Sequence, residues 1–357
     1  MKFITDPWIV LTYLLASTLS LFMLASVSPD RLVQQAVMLA VGLGIILYLS
    51  RQDSSIFFAF APLGYVLSIF LLLFTFIFGA TIRGSARWIM LGTFQLQTGE
   101  LAKPLLILAF AYFLEKYPPR SVRHLLLNFA LFLLPTWLIF QQPDLGTALV
   151  ITTIWGLQLF LAGVSWWVIG ITGAFSALTL RFLPQLLRPY QLDRLRSFLD
   201  PYHDPLGAGY NVIQSIIAIG SGGLWGKGLG HGTQSHLRFL PERHTDFAFA
   251  SLAEELGLLG SLVVILILGA LLFRLLTVLT HAPSSRTRII LAGVFASLFF
   301  QSVINIGMNL GVAPVTGVTL PLISYGGSSI LAVSLTLGIA LSVIRTSNSG
   351  RSLLEIK

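Results

Sequence analysis

Asp246 lies where a polar stretch gives way to an apolar run, in Phe239-Leu-Pro-Glu-Arg-His-Thr-Asp246-Phe247. A carboxylate at the start of a helix serves as an N-cap by accepting free backbone N–H groups. The same group, half withdrawn from water, takes a proton from an attacking hydroxyl as a general base. The residues by themselves leave both readings open. His244, two positions earlier, is a rival base.

Glu100 and Lys103 form a second constellation. Their i, i+3 spacing puts both on one face of a predicted helix. An unpaired charge in mid-bilayer costs at least ~2.5 kcal/mol, so such residues face a partner or a cavity. They pin two helices as an ion pair, or they line a headgroup path with Gln95, Gln97 and Arg87. Glu254 and Glu255, two turns beyond Asp246, are expected to be structural.

Gly220-Ser-Gly-Gly-Leu-Trp-Gly-Lys-Gly-Leu-Gly230 resembles a phosphate loop only superficially. Ser221 stands where a Walker motif needs its first Gly, and Gly228 follows Lys227 in place of Ser or Thr. Flexible backbone and one Lys still suit a lipid pyrophosphate. Farther on, Pro314, Pro321, Gly317, Gly326 and Gly327 predict broken helix, which in membrane proteins frames binding sites. Ser324, Ser328 and Ser329 there suit close helix packing equally well. His-Glu-x-x-His, Gly-x-Ser-x-Gly and Asp-rich prenyl-diphosphate motifs are absent from the sequence.

The elements that must position these groups are membrane helices. Of the 357 residues 55% are hydrophobic and 10% charged, and the mean hydropathy is +0.85. Soluble domains carry roughly 25% charged residues. The chain therefore reads as an all-α polytopic membrane protein, a single integral membrane domain over 1–357. Taking about 20 apolar residues per span, ten helices are predicted, at 8–28, 32–50, 56–80, 99–115, 124–140, 145–163, 165–183, 247–276, 288–312 and 323–345. Residues 184–246 form one large loop between the seventh and eighth. Within it, Leu192, Leu195, Phe198 and Leu199 predict a short interfacial helix. Val212–Ile219 is too short to span and predicts a re-entrant or surface-dipping segment.

With both termini cytoplasmic, Lys2, Arg51, Lys116, Arg120, Arg123, Arg274, Arg286, Arg288, Arg345, Arg351 and Lys357 fall inside. Only Arg31, Arg83 and Arg87 fall in short outer loops, as the positive-inside rule favours. The large loop and Asp246 then face outwards. The net charge of +8 is explained by this bias, and no nucleic-acid-binding motif accompanies it. Zero Cys excludes disulfides and thiolate metal sites.

Seven motifs in order resemble the RodA/FtsW/SpoVE family. They are Arg83-Gly-Ser-Ala-Arg87-Trp88, Gln97-Thr-Gly-Glu100-Leu-Ala-Lys103, Gln142-Pro-Asp-Leu-Gly-Thr-Ala148 and Gly209-Tyr-Asn-Val-Ile-Gln-Ser215, followed by Leu240-Pro-Glu-Arg-His-Thr-Asp-Phe247, Glu254-Glu-Leu-Gly257 and Leu320-Pro-Leu-Ile-Ser-Tyr-Gly-Gly-Ser328. The departure is at Thr98 and Gly99, where the family usually has Pro-Ser. Arg243 and the 234–238 run resemble the elongation branch more than the division branch.

The resemblance implies a peptidoglycan glycosyltransferase of the bacterial cytoplasmic membrane. It would polymerise lipid II on the outer face during cell elongation, beside a class B penicillin-binding protein and other elongation-complex membrane proteins. Asp246 matches the family's essential acid, and Glu100 and Lys103 match its polar pair. An acceptor 4-hydroxyl attacks the donor's anomeric carbon, and undecaprenyl pyrophosphate leaves with inversion. Arg87, Arg196, Lys227 and Arg243 are candidates to hold that pyrophosphate, and Gln97 joins them in the substrate site. A divalent cation, Mg2+ or Mn2+, is an open cofactor, and no metal ligand is assigned. Two other classes stay open: a lipid II flippase using Glu100 and Lys103, and a non-catalytic scaffold for the penicillin-binding protein.

Overall fold

The computed structural model describes residues 6–82, 85–92, 94–180, 189–207 and 209–354. Helices dominate: α1 (Pro7–Val27), α2 (Leu32–Leu49), α3 (Ser54–Ala59), α4 (Ala61–Phe78), α5 (Thr98–Lys116), α6 (Val122–Gln141), α7 (Leu145–Leu161), α8 (Trp166–Leu180), α9 (Pro189–Leu199), α10 (Tyr210–Gly222), α11 (Thr233–His236), α12 (Ala248–Thr280), α13 (Ser285–Asn309) and α14 (Gly327–Leu354). Each predicted span overlaps one of them. Among the described residues, seven helices are long and apolar enough to cross a membrane. The other three predicted spans fall on α5, which carries the Glu100–Lys103 pair, on α7 and on α8, of only 17 and 15 residues. Residues 181–188, where the seventh span was expected to end and the large loop to begin, lie outside the described residues.

The expectation of an all-α chain needs one correction. Between α4 and α5 the chain forms an antiparallel sheet of β1 (Ala80–Ile82), β2 (Ser85–Leu91) and β3 (Phe94–Gln97), in that order. Trp88 pairs with Gln97, Ile89 with Leu96 and Leu91 with Phe94. β-Branched and aromatic residues between glycines favour strands, a signal masked in sequence by the apolar spans on either side. The sheet delivers Arg87 and Gln97 to the start of α5.

One apolar core runs through the bundle, including Ile9, Tyr13, Leu24, Ile46, Leu72, Leu106, Ile154 and Ile290. Helix α14 packs on α2, α13 on α7, α4 on α5, and α12 on α1, α10 and α13. The predicted re-entrant segment is α10. Its Val212, Ser215 and Ala218 are buried, and Ser215 Oγ donates to Asn309 O at 2.8 Å.

Helix α12 is interrupted at Gly257 (φ 67°, ψ −161°), a conformation essentially reserved for Gly. The break exchanges hydrogen bonds with the glycine-rich run. Leu258 N and Leu259 N, whose helical acceptors would be Glu254 O and Glu255 O, donate instead to Gly223 O at 2.9 Å and Leu224 O at 3.3 Å. Lys227 N and Gly228 N take over those two carbonyls at 3.0 and 2.9 Å. A Cβ on Gly226 would collide with Glu255 O. The four backbone groups displaced at the break thus find partners, as a low-dielectric surrounding demands.

Candidate functional site

The backbone around Asp246 is clamped at three successive carbonyls. Tyr325 N donates to His244 O at 2.8 Å, and Ser324 Oγ donates to Thr245 O at 2.6 Å. Asp246 O accepts from Asn305 Nδ2 at 3.1 Å and Asn309 Nδ2 at 3.0 Å. Helix α12 has Phe247 at its N-cap position, without a side-chain cap. The third N–H of the helix, that of Ala250, is taken by Asn309 Oδ1 at 3.0 Å. The capping duty considered for Asp246 is thus performed at that amide from α13. Asp246 is partly exposed. It faces Gly317 (φ 73°), where a Cβ would stand 3.7 Å from Asp246 Oδ2. A Cβ at 317 would meet the carboxylate only at an ordinary contact distance, but the left-handed backbone there disfavours a side chain.

The second cluster is buried at the head of α5. Lys103 Nζ lies 2.7 Å from Glu100 Oε2, with the side chains 3% and 6% exposed. Lys103 Nζ also donates to Gln301 Oε1 at 2.7 Å, and Gln301 Nε2 donates to Ser297 O at 2.9 Å. At the departure from the family's usual Pro-Ser, Thr98 Oγ1 meets Thr75 Oγ1 at 2.9 Å. A Cβ on Gly99 would press on Thr147 Cγ2 at 3.2 Å.

Arg87 and Gln97 meet at Asp144, the N-cap of α7. Gln97 Nε2 donates to Asp144 Oδ2 at 2.9 Å, and Arg87 Nη1 stands 3.5 Å from the same oxygen. Asp144 Oδ1 accepts from Thr147 N at 3.1 Å. The segment before α14 links this group to Asp246. Ser324 holds the carbonyl of Thr245, and four residues on, Ser328 Oγ accepts from Gln97 N at 3.0 Å and donates to Gln95 O at 3.1 Å.

Two of the proposed cations stand apart. Lys227 Nζ donates to Glu254 Oε1 at 2.9 Å and Thr233 Oγ1 at 2.7 Å. Glu254, fully buried, also accepts from Gln234 N, Ser235 N and Ser235 Oγ. Lys227 is thereby engaged in anchoring the loop, and its own backbone N–H is used at the helix break. Arg196 lines a cavity of about 530 Å3 with Asp193, Asp200, His203 and Asp204, an acidic setting for a phosphate ligand. Arg243, three residues before Asp246, reaches the end of α1, with Nε donating to Val27 O at 3.3 Å. Burial, then the like charges of Arg238 and Arg31, lower its pKa from the ordinary value. Burial, then Arg31, pushes the His244 pKa down to about 4, so this imidazole is neutral at pH 7.

Among the described residues, no group of three or more His, Cys, Asp or Glu side chains is arranged to hold a metal ion. A protein-caged divalent cation therefore does not fit these residues. Asn305, Asn309 and Gln301 were not singled out from sequence, yet they orient the two clusters. Their signal is polarity within an apolar span, with Asn305 and Asn309 one turn apart.

The family model described as a cell cycle protein, FtsW/RodA/SpoVE, matches residues 5–349. The peptidoglycan glycosyltransferase MrdB of Escherichia coli K12 is 42% identical over 310 residues, covering 85% of this chain and 83% of its own. A probable peptidoglycan glycosyltransferase FtsW of Coxiella burnetii is 37% identical and 95% of each chain is covered. Among solved structures, the rod shape determining protein RodA of Thermus thermophilus superposes with a TM-score of 0.73 at 32% identity, covering 96% of this chain and 97% of that one. A chain from a peptidoglycan synthase complex, described as coordinating polymerization and crosslinking, gives a TM-score of 0.82 at 37% identity, with 95% and 97% covered.

Proposed function

The chain belongs to the FtsW/RodA/SpoVE family, and from that premise we propose how its residues carry out the family's chemistry. It is a peptidoglycan glycosyltransferase, as its curated relatives are. Its substrate is lipid II, polymerised at the outer face of the bacterial cytoplasmic membrane during elongation. The acceptor's 4-hydroxyl oxygen forms a bond to the donor's anomeric carbon, and its proton passes to the Asp246 carboxylate. The bond from that carbon to the diphosphate oxygen breaks, its electron pair leaving with the polyprenyl diphosphate, and the configuration inverts. Glu100, Lys103, Gln97 and Arg87 line the approach for the sugar headgroups.

The observation that carries this reading is the clamp on Asp246. Hydrogen bonds hold the backbone on both sides of the carboxylate, while Asn309 takes over an amide that an N-cap acid would have served. A base held in place costs little reorganisation when the proton moves.

The finer topology belongs to the same proposal. The seven long apolar helices, with α5, α7 and α8, make ten spans with both termini cytoplasmic. The loop of 184–246 then lies outside, where a class B penicillin-binding protein docks beside it. The structural relative from a complex of polymerization and crosslinking supports that partnership.

The test is polymerisation of labelled lipid II by the purified protein, with and without a penicillin-binding protein inactivated in its own domain. Asp246→Asn is expected to lower the rate by roughly 10²–10⁴-fold, the usual worth of a general base. Equal polymer from both proteins would remove Asp246 from the chemistry.

A further inference from the structure

The turn that leads into α14 is held from two sides. Towards the site, Ser324 Oγ donates to Thr245 O at 2.6 Å and Tyr325 N to His244 O at 2.8 Å. Its other partners are Ser20 of α1 and Gln35 of α2, both fully buried. Ser20 Oγ donates to Ile323 O at 2.8 Å. Gln35 Nε2 donates to Ser20 Oγ at 2.9 Å and to Ser324 O at 3.3 Å. Gln35 Oε1 accepts from Gly326 N at 3.4 Å.

The ends of this relay fix its polarity. Ile323 O and Ser324 O can only accept, and Gly326 N can only donate. The Gln35 amide therefore cannot flip without losing both backbone partners, and the Ser20 hydroxyl points its proton at Ile323 O. Just before these contacts Leu322, itself buried, has φ 65°. A non-glycine residue keeps such a conformation only where its surroundings over-determine it, and the bonds to Ile323, Ser324 and Gly326 supply that constraint. Apart from the bond between them, Ser20 and Gln35 spend their hydrogen bonds on 323–326 alone. Tyr13, two turns earlier on α1, does the opposite, its hydroxyl tying α1 directly to α2 by donating to Leu39 O at 2.8 Å.

We infer that Gln35, with Ser20, is a positioning residue for the glycosyl transfer read above, acting through the 323–326 turn on the backbone that carries the base Asp246. Asn305 and Asn309 hold the Asp246 carbonyl from α13, and the turn holds the two carbonyls before it. Without the relay the grip from α13 remains, so the carboxylate shifts while the segment stays folded. A displacement near 1 Å costs about 100-fold in rate. Gln35, with no exposed surface, does not touch the substrate, so substrate binding is kept.

The test is lipid II polymerisation at varied substrate concentration by the intact protein in detergent, beside a penicillin-binding protein inactivated in its own domain. Gln35→Met keeps length and packing but none of the three bonds. Its kcat is expected to fall at least about tenfold with KM within about twofold of the parent, the mark of a contribution made only in the transition state. Ser20→Ala loses the bond to Ile323 O and leaves Gln35 its hold on Ser324 and Gly326. It should show a smaller fall of the same kind, and it carries the test if Gln35→Met folds poorly. Tyr13→Phe is the control for the α1–α2 contact: its unfolding temperature should drop while kcat stays at the parent value. A kcat in Gln35→Met and Ser20→Ala no lower than in Tyr13→Phe overturns the inference, as does a raised KM at unchanged kcat. Asp246→Asn separates the two readings. Normal polymerisation by that variant defeats the base assignment and the positioning with it. An inactive Asp246→Asn beside a fully active Gln35→Met defeats the positioning alone.

Discussion

Asn309 grips the Asp246 segment from both sides of its amide: Nδ2 donates to Asp246 O at 3.0 Å, and Oδ1 accepts from Ala250 N at 3.0 Å. One buried side chain thus fixes the backbone of the candidate base and satisfies the start of the helix behind it. Asn309→Leu removes both bonds. The lost cap alone is worth about 0.5–2 kcal/mol, so the unfolding temperature should fall modestly. Polymerisation should fall about 100-fold, since a displacement near 1 Å is enough for such a loss. Parallel assays of thermal unfolding and glycan synthesis check this, and a rate that merely follows the folded fraction would reduce Asn309 to a structural cap.

Gly257→Ala attacks the break in α12. Its φ of 67° with ψ of −161° costs a non-glycine residue about 1–3 kcal/mol. The added Cβ would also collide with Gly226 N. The expected result is a clear loss of thermal stability in detergent, with more rapid proteolysis in 222–230 than elsewhere. A variant as stable as the parent would mean that the hydrogen-bond exchange with Gly223 and Leu224 is dispensable.

Seven of the predicted spans were legible because hydropathy reads directly onto long apolar helices, and seven such helices stand among the described residues. The Glu100–Lys103 ion pair was legible because charge within an apolar run stands out, and the proposed base Asp246 draws attention in the same way at the edge of one. The sheet of 80–97 was hidden, since its short strands sit between apolar helices and share their residues. The exchange at Gly257 was hidden for another reason. Its donors and acceptors are backbone groups some thirty residues apart, and no side-chain pattern announces them. The role of Lys227 was misleading in sequence, because its acceptor, Glu254, is reached only when the glycine-rich run folds back on α12.

His244 supplies a pH dependence of definite sign. Burial lowers its pKa in the folded protein to about 4 from 6.5. Above pH 6.5 the imidazole is neutral in both folded and unfolded chains, and the stability it permits is fully present. As pH falls from 6.5 towards 4, the unfolded chain binds a proton that the folded one resists, and stability is lost. His244→Gln should show a shallower fall in unfolding temperature between pH 7 and 5 than the parent. Identical slopes would show that His244 is already charged in the fold.

The Glu100–Lys103 pair gives the sharpest separation of stability from function. Lys103→Met leaves Glu100 buried without its counter-ion, a change that usually costs about 3–5 kcal/mol. Folded yield should collapse. Glu100→Leu with Lys103→Met removes both charges, and replacing a buried pair by apolar residues of similar volume is often neutral for stability. The double variant should therefore recover folded yield. Its polymerisation should nonetheless stay below about a tenth of the parent rate, because a hydrophobic pair would serve packing equally well, whereas a headgroup path needs the charges. Thermal unfolding and lipid II polymerisation on the two variants decide the point. Recovery of both stability and synthesis in the double variant would make the pair a helix pin, with the substrate passing elsewhere.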